Sequence, residues 1–192
     1  MALPYLIAGL PRSRTAWLAA VCSTVDGSIC YHEPSADYRT WQAAASLWDS
    51  ARQKWCGISD SGFSFKIREI IDQWHPQVLI VERSAEDVLA SLQGIGIPRS
   101  NICDLMHEKL SAVSAADGVM RVNFADLTNN HVVAGCLEHL MPGARISLPQ
   151  IEIMQRFNVQ ADMARVWKAV QARGGDLSGY IDEDIAARLR VA

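Results

Sequence analysis

Apolar residues along this 192-residue chain fall into short continuous runs separated by longer stretches of helical spacing. Tyr5 to Leu10 is a short apolar run of strand character, broken by Gly9 and Pro11, and Thr15 to Val25 (TAWLAAVCSTV) reads as a helix. Gly27 ends that helix, Ser28 to Tyr31 predicts a short strand, and His32-Glu33-Pro34 follows at its C-terminal end. Asp37 is placed to cap a helix running to about Lys54, with Trp41, Ala44, Ala45, Leu47 and Trp48 on its apolar face. Cys56 to Ser59 predicts another strand and Asp60-Ser61-Gly62 a turn. Phe63 to Trp74 is amphipathic, and Pro76 stops it.

Gln77 to Glu82 (QVLIVE) is the clearest buried strand, followed directly by a helix from Ala85 to Gln93. Gly94 to Pro98 breaks the chain. Asn101 to Ala115 then reads as helix, Gly118 to Phe124 as strand, and Asp126 to Met141 as helix, closed by Pro142-Gly143. A helical region covers about Pro149 to Ala172, followed by a turn at Gly174-Gly175 and a short C-terminal helix.

Strands alternating with helices predict an α/β fold with a mostly parallel sheet flanked by helices. The length suits one domain, 1–192, with a helical C-terminal region from about 149. In such sheets ligands bind beyond the C-terminal ends of the strands. Three charged loops occupy such ends: Pro11–Thr15, His32–Glu33 and Glu82–Arg83.

Composition changes this picture little. Apolar residues make up 49% and charged residues 20%, and a net charge of −3 argues against broad, sequence-independent DNA binding. The five cysteines are widely spaced with no C-x-x-C pair, which fits reduced thiols rather than a disulfide framework or zinc site. Without a cationic apolar leader or a run of about 18 apolar residues, the expectation is a soluble, cytoplasmic protein with no membrane partner. No motif bears on oligomeric state.

The chemistry concentrates in residues 5–17, YLIAGLPRSRTAW. Strand, tight loop and helix aim backbone N–H groups and a helix N-terminus at one point, which suits an anion. Arg12 and Arg14 add positive charge there, and Ser13 and Thr15 add hydroxyls. The nucleotide-loop pattern G-x-x-x-x-G-K-[ST] is not met: in its best register only Thr15 matches.

The stretch resembles instead the loop of the sulfotransferase family, P-[KR]-S-G-T-[TS]-W. Pro11, Arg12, Ser13, Thr15 and Trp17 match, while Arg14 replaces the glycine and Ala16 a hydroxyl residue. After the buried strand, Arg83 to Leu92 (RSAEDVLASL) resembles the second signature of that family, R-x-P-x-[DE]-x-x-x-S, with Ala85 departing from the proline. A looser likeness is Val122–Leu127 (VNFADL) to V-x-Y-E-D-L. The resemblance implies a P-loop NTPase-like three-layer fold. It also implies a donor, 3′-phosphoadenosine 5′-phosphosulfate (PAPS), and a product nucleotide, PAP. Arg12, Ser13, Thr15 and loop amides would hold the 5′-phosphosulfate, with Pro11, Arg14 and Ala16 completing the loop. Trp17 would lie against the adenine, and Arg83 and Ser91 would hold the 3′-phosphate.

Sulfuryl transfer to a hydroxyl needs a general base and positive groups at the leaving phosphate. Some relatives place a Glu-Pro pair after the second strand, which makes Glu33 the expected base and His32 the fallback. Neighbouring residues on an extended segment point opposite ways, so one of the two is expected to face the site.

Short phage proteins with loops of the type G-L-P-R-S-R-T-x-W also look like this chain, and imply a phage gene acting in the host cytoplasm. Such proteins are read either as sulfotransferases or as P-loop kinases. Under the kinase reading, ATP with Mg²⁺ is the donor and Arg14 neutralises a γ-phosphate. Thr15 with Glu82 or Asp60 would hold the metal, and the acceptor would be a nucleotide or a hydroxymethylpyrimidine in phage DNA. Under either reading an adenine nucleotide donates to a hydroxyl acceptor, a small molecule or modified DNA. A non-catalytic nucleotide-binding module is the third class. Trp41, Trp48 and Trp55 could stack a base or sugar, but their spacing more often marks a core.

Overall fold

In the computed structural model, five strands form one parallel sheet in the order β2-β3-β1-β4-β5. The structure describes residues 2–114, 117–159 and 178–189, and singly 168 and 172. The strands are β1 (Leu3–Gly9), β2 (Ser28–His32), β3 (Trp55–Ser59), β4 (Gln77–Glu82) and β5 (Val119–Asn123). Connections from β1 run first to the β2–β3 side and then across to β4 and β5. The chain therefore reverses direction around β1, and the crevice beyond its C-terminal end is the topological switch point.

Alternation along the strands divides the core into two layers. Leu6, Ala8, Val78 and Ile80 face one layer, with Trp41, Trp48, Ile70 and Leu105. Tyr5, Ile7, Leu79 and Val81 face the other, with Trp17, Leu18, Val133 and Leu137. The first layer is supplied by α2 (Trp41–Ala45), α3 (Leu47–Ser50), α4 (Ile67–Trp74), α5 (Ala85–Gln93), α6 (Ile102–Ser111) and, after α7 and α8, by α9 (Glu183–Arg188). The second is supplied by α1 (Thr15–Cys22), α7 (Asn130–Leu140) and α8 (Leu148–Gln155).

One glycine is set by a close approach. Gly57 of β3 pairs with Tyr5 of β1, and the Tyr5 ring crosses it to place its hydroxyl 3.0 Å from Ser28 Oγ and 3.2 Å from the Ile29 carbonyl. A Cβ on Gly57 would lie 1.9 Å from Tyr5 Cε2.

Two helical expectations are corrected. The stretch from Asp37 to Lys54 is two short helices capped at Thr40, whose hydroxyl accepts from the Ala43 N–H at 3.2 Å. Ser46 and Ser50 donate to the carbonyls of Ala43 and Leu47, and such local bonds compete with the helical ladder. The first helix stops at Cys22 rather than Val25, because Ser23 and Thr24 hydroxyls take the carbonyls of Ala19 and Val21. Of the expected helix from Pro149 to Ala172, the first part is α8, which ends at Gln155; most of the rest, and the Gly174-Gly175 turn, lie outside the described residues. Trp41, Trp48 and Trp55 are buried, and Trp41 and Trp48 pack against Trp74 with ring centroids 5.7 and 5.8 Å away. They are core. Among the described residues no helix is long and apolar enough to cross a membrane.

Candidate functional site

The sequence places a strand end, a five-residue loop and a helix start at the switch point, and the loop backbone is unusual. Arg12 and Arg14 both adopt left-handed conformations, with φ of 64° and 60°. That region costs a non-glycine residue energy, and Arg14, which stands where the sulfotransferase pattern has a glycine, adopts a glycine-like backbone. The first N–H groups of α1, on Thr15, Ala16 and Trp17, have no acceptor within the helix, and these residues line the crevice. Ser13 is fully buried beneath them, and its Oγ has no hydrogen-bond partner among the described residues. Pro11 is buried beside it.

A cavity of about 210 Å³ lies over this loop. Its walls include Arg12, Arg14, Thr15, Ala16 and Trp17 from the loop and α1, Glu33 after β2, Arg83 after β4 and Ser91 on α5. Phe124, Phe157, Asn158 and Val159 complete it. Thus eight of the residues singled out in the sequence converge on one space, from four separate parts of the chain. The lining carries three arginines against one carboxyl group, a balance that favours an anionic ligand.

Contacts join the two signatures. Arg12 Nε donates to Ser91 Oγ at 3.2 Å, and Arg83 donates to the Arg12 carbonyl. The Arg83 guanidinium also lies over the Phe124 ring, 4.3 Å from its centroid.

Arg14 behaves differently. Its guanidinium donates to the Leu127 carbonyl at 3.1 Å and to Gln155 Oε1 at 3.1 Å, and stacks 4.4 Å from the centre of the Trp17 ring. Burial lowers its pKa. Trp17 is 1% exposed, donates to the Met154 carbonyl at 2.9 Å and has Arg14 against its ring. Trp17 thus lines the cavity where the expected adenine contact would be, with most of its ring packed in the core. Phe124 and Phe157 also line the cavity, and Phe157 is 57% exposed.

Glu33 is 3% exposed and sits at a φ of 49°. Its N–H extends the β2–β3 ladder to the Ser59 carbonyl at 2.8 Å. Its Oε1 accepts from the N–H and Oγ of Ser61 at 3.2 and 3.0 Å. Burial, and then the nearby Asp60 charge, push its carboxyl pKa well above the usual range. Asp60 is completely buried. It accepts from the Ser35 N–H and hydroxyl and from the Gly62 N–H, at 2.7, 2.8 and 2.8 Å. Burial also raises the Asp60 pKa, and its three donors oppose that shift. Asp60 is thus the member of the pair better provided to carry the charge, and Glu33 the better proton holder. His32 Nε2 lies 3.9 Å from Glu33 Oε1, but of the two only Glu33 lines the cavity.

The residues proposed for a metal are Thr15, Glu82 and Asp60. Thr15 lines the cavity, Glu82 pairs with Arg121 at 2.9 Å, and Asp60 is taken up by Ser35 and Gly62. Among the described residues no group of three or more His, Cys, Asp or Glu side chains could hold a metal ion.

Sequence reading missed the Asp60–Ser61 support for Glu33, having read that tripeptide only as a turn and Asp60 only as a metal partner. It also missed Phe124, Phe157, Asn158 and Gln155. Phe124 lies in the VNFADL stretch, so a signal existed; the others carry none. No family model matches the chain, and no curated protein matches it. The likeness to sulfotransferases rests on the sequence motifs within residues 5–34 and 77–92 and, more loosely, 119–143.

Proposed function

We propose that this protein transfers a sulfuryl group from PAPS to a hydroxyl acceptor. The observation that carries the reading is the contact of Arg12 with Ser91, supported by the bond from Arg83 to Arg12. It brings the loop and the Arg83–Ser91 pair together in one cavity, and that pair offers a place for the second phosphate group of such a donor. ATP has no use for the second pair.

The chain fits such a donor. The unpartnered Ser13 Oγ, the first-turn N–H groups of α1 and Arg12 supply donors for the 5′ group. Arg83 and Ser91 supply a planar cation and a hydroxyl for the 3′-phosphate. Phe124 and Phe157 offer apolar surface to the base. The donor, when bound, supplies an activated sulfuryl group. As the S–O bond to the leaving phosphate breaks and one to the acceptor oxygen forms, Glu33 takes the acceptor proton and Arg12 with the loop amides meets the charge on the leaving group. Ser61 orients the Glu33 carboxylate through two donors, which leaves Oε2 the less encumbered oxygen.

Calorimetric titration with PAP and, separately, with ATP and Mg²⁺ tests the reading. Tight PAP binding that Arg83→Ala abolishes is the expected result. Binding of Mg-ATP without any response to PAP would replace this reading with the kinase one, whose acceptor assay is phosphate transfer to hydroxymethylated DNA. Silence from both ligands would leave a binding module for something else.

A further inference from the structure

Arg14 closes a ring of three hydrogen bonds. It donates to the Leu127 carbonyl and to Gln155 Oε1, and Gln155 Nε2 donates to the same Leu127 carbonyl at 2.8 Å. The ring joins the phosphate loop, the turn after β5 and the last residue of α8. Two residues beyond Gln155 the chain becomes the cavity wall, Phe157 to Val159. Trp17 holds the preceding residue, Met154, through its carbonyl. The arginine therefore spends its donors on the protein while its backbone does what a glycine would do.

We infer that Arg14 is a positioning residue: it braces the Phe157–Val159 wall against the phosphate loop, and the braced wall is what recognises the nucleoside part of the ligand. The identity of that ligand rests on the donor reading above; the brace does not. Phosphate affinity belongs to the loop amides, Ser13 and Arg12, and nucleoside affinity to a surface whose placement depends on residue 14. A wall already in place costs the ligand less ordering on binding.

Arg14→Gly suits the test, because glycine accepts a φ of 60° and keeps the loop path. Gln155→Ala opens the same ring without touching the loop, and guards against a folding defect in the first variant. In both, hydrogen exchange of the amides at 153–159 in the ligand-free protein should quicken roughly tenfold or more. PAP should bind about tenfold more weakly or worse, while inorganic pyrophosphate, a probe of the loop alone, should stay within about threefold of wild type. Unchanged exchange in both variants would overturn the brace whatever the donor is. Equal weakening of PAP and pyrophosphate in Arg14→Gly would also overturn it, by showing that Arg14 binds phosphate directly. Should the wild-type protein bind ATP and not PAP, the donor reading fails, and ATP replaces PAP as the nucleoside-bearing probe with the same outcomes deciding the brace.

Discussion

Arg12 Nε lies 3.2 Å from Ser91 Oγ, across 79 positions of sequence. The contact joins the loop before α1 to α5, helices on opposite layers of the sheet. If this junction is the 3′-phosphate seat, Ser91→Ala should weaken PAP binding about tenfold. Arg83→Ala should weaken it by roughly a hundredfold, since it removes a cation and also leaves the Arg12 carbonyl without its donor. Calorimetry reads both, and wild-type affinity in Arg83→Ala would dismiss the seat.

Glu33 makes a prediction in pH. Its folded-state pKa is raised, so the folded protein holds that proton more tightly than the unfolded chain does. The stability this contributes is fully present below the ordinary carboxylate range and is lost as pH rises through the raised value. Glu33→Gln keeps an oxygen for the two Ser61 donors and removes the buried charge. Thermal melts across roughly pH 5 to 9 should show the variant gaining on wild type as pH increases. A constant difference would mean that Glu33 titrates as an ordinary surface acid.

The same substitution should reduce turnover by about a hundredfold to ten-thousandfold, the usual contribution of a general base. If Glu33 is the base, the transfer rate of the wild-type protein should climb with pH above the ordinary carboxylate range, because the carboxyl must first ionise. A pH-independent rate, or an active Glu33→Gln, would remove Glu33 from the reaction.

Glu82 offers a contrast. Its carboxylate is exposed and paired with Arg121, so Glu82→Gln should cost about 1 kcal/mol or less and leave transfer unchanged. Loss of an Mg²⁺-dependent activity in this variant would instead support a metal role and the kinase chemistry. Steady-state kinetics with and without Mg²⁺ separates the two.

Gly57→Ala tests the sheet that carries the site. The new methyl would meet the Tyr5 ring at 1.9 Å, in a layer with no room to shift it without breaking its bonds to Ser28 and Ile29. A loss of about 3 kcal/mol in denaturant unfolding is expected. Gly57→Ala combined with Tyr5→Leu should recover much of it; if it does not, the clash is not the cause.

Much of this architecture is written in the local pattern. Strand runs and helical spacings are properties of a few adjacent residues, so QVLIVE and the helix after it stand where the pattern puts them. Helix ends are less legible, because Ser23, Ser46 and Ser50 side chains compete for carbonyls in a way that apolar spacing does not register. The loop residues 12–17 were readable as a candidate anion site from residue type and the strand–loop–helix pattern, and Arg83 and Ser91 as candidates through the resemblance to the sulfotransferases.

Their partnership was not. Which carboxyl holds the proton depends on Asp60 and Ser61 arriving beside Glu33 at the ends of neighbouring parallel strands, and strand order is a long-range property. Whether an arginine faces a ligand or the protein depends on what packs above it. Arg14 reads in sequence as free charge beside a phosphate, and only the approach of α8 and Leu127 turns its guanidinium away. The sequence by itself determined the α/β alternation and the residue types at the strand ends, because both follow from local hydrophobicity and spacing. Tertiary structure alone decided burial, proton placement and the direction of each charged side chain, because these depend on neighbours that no spacing along the chain records.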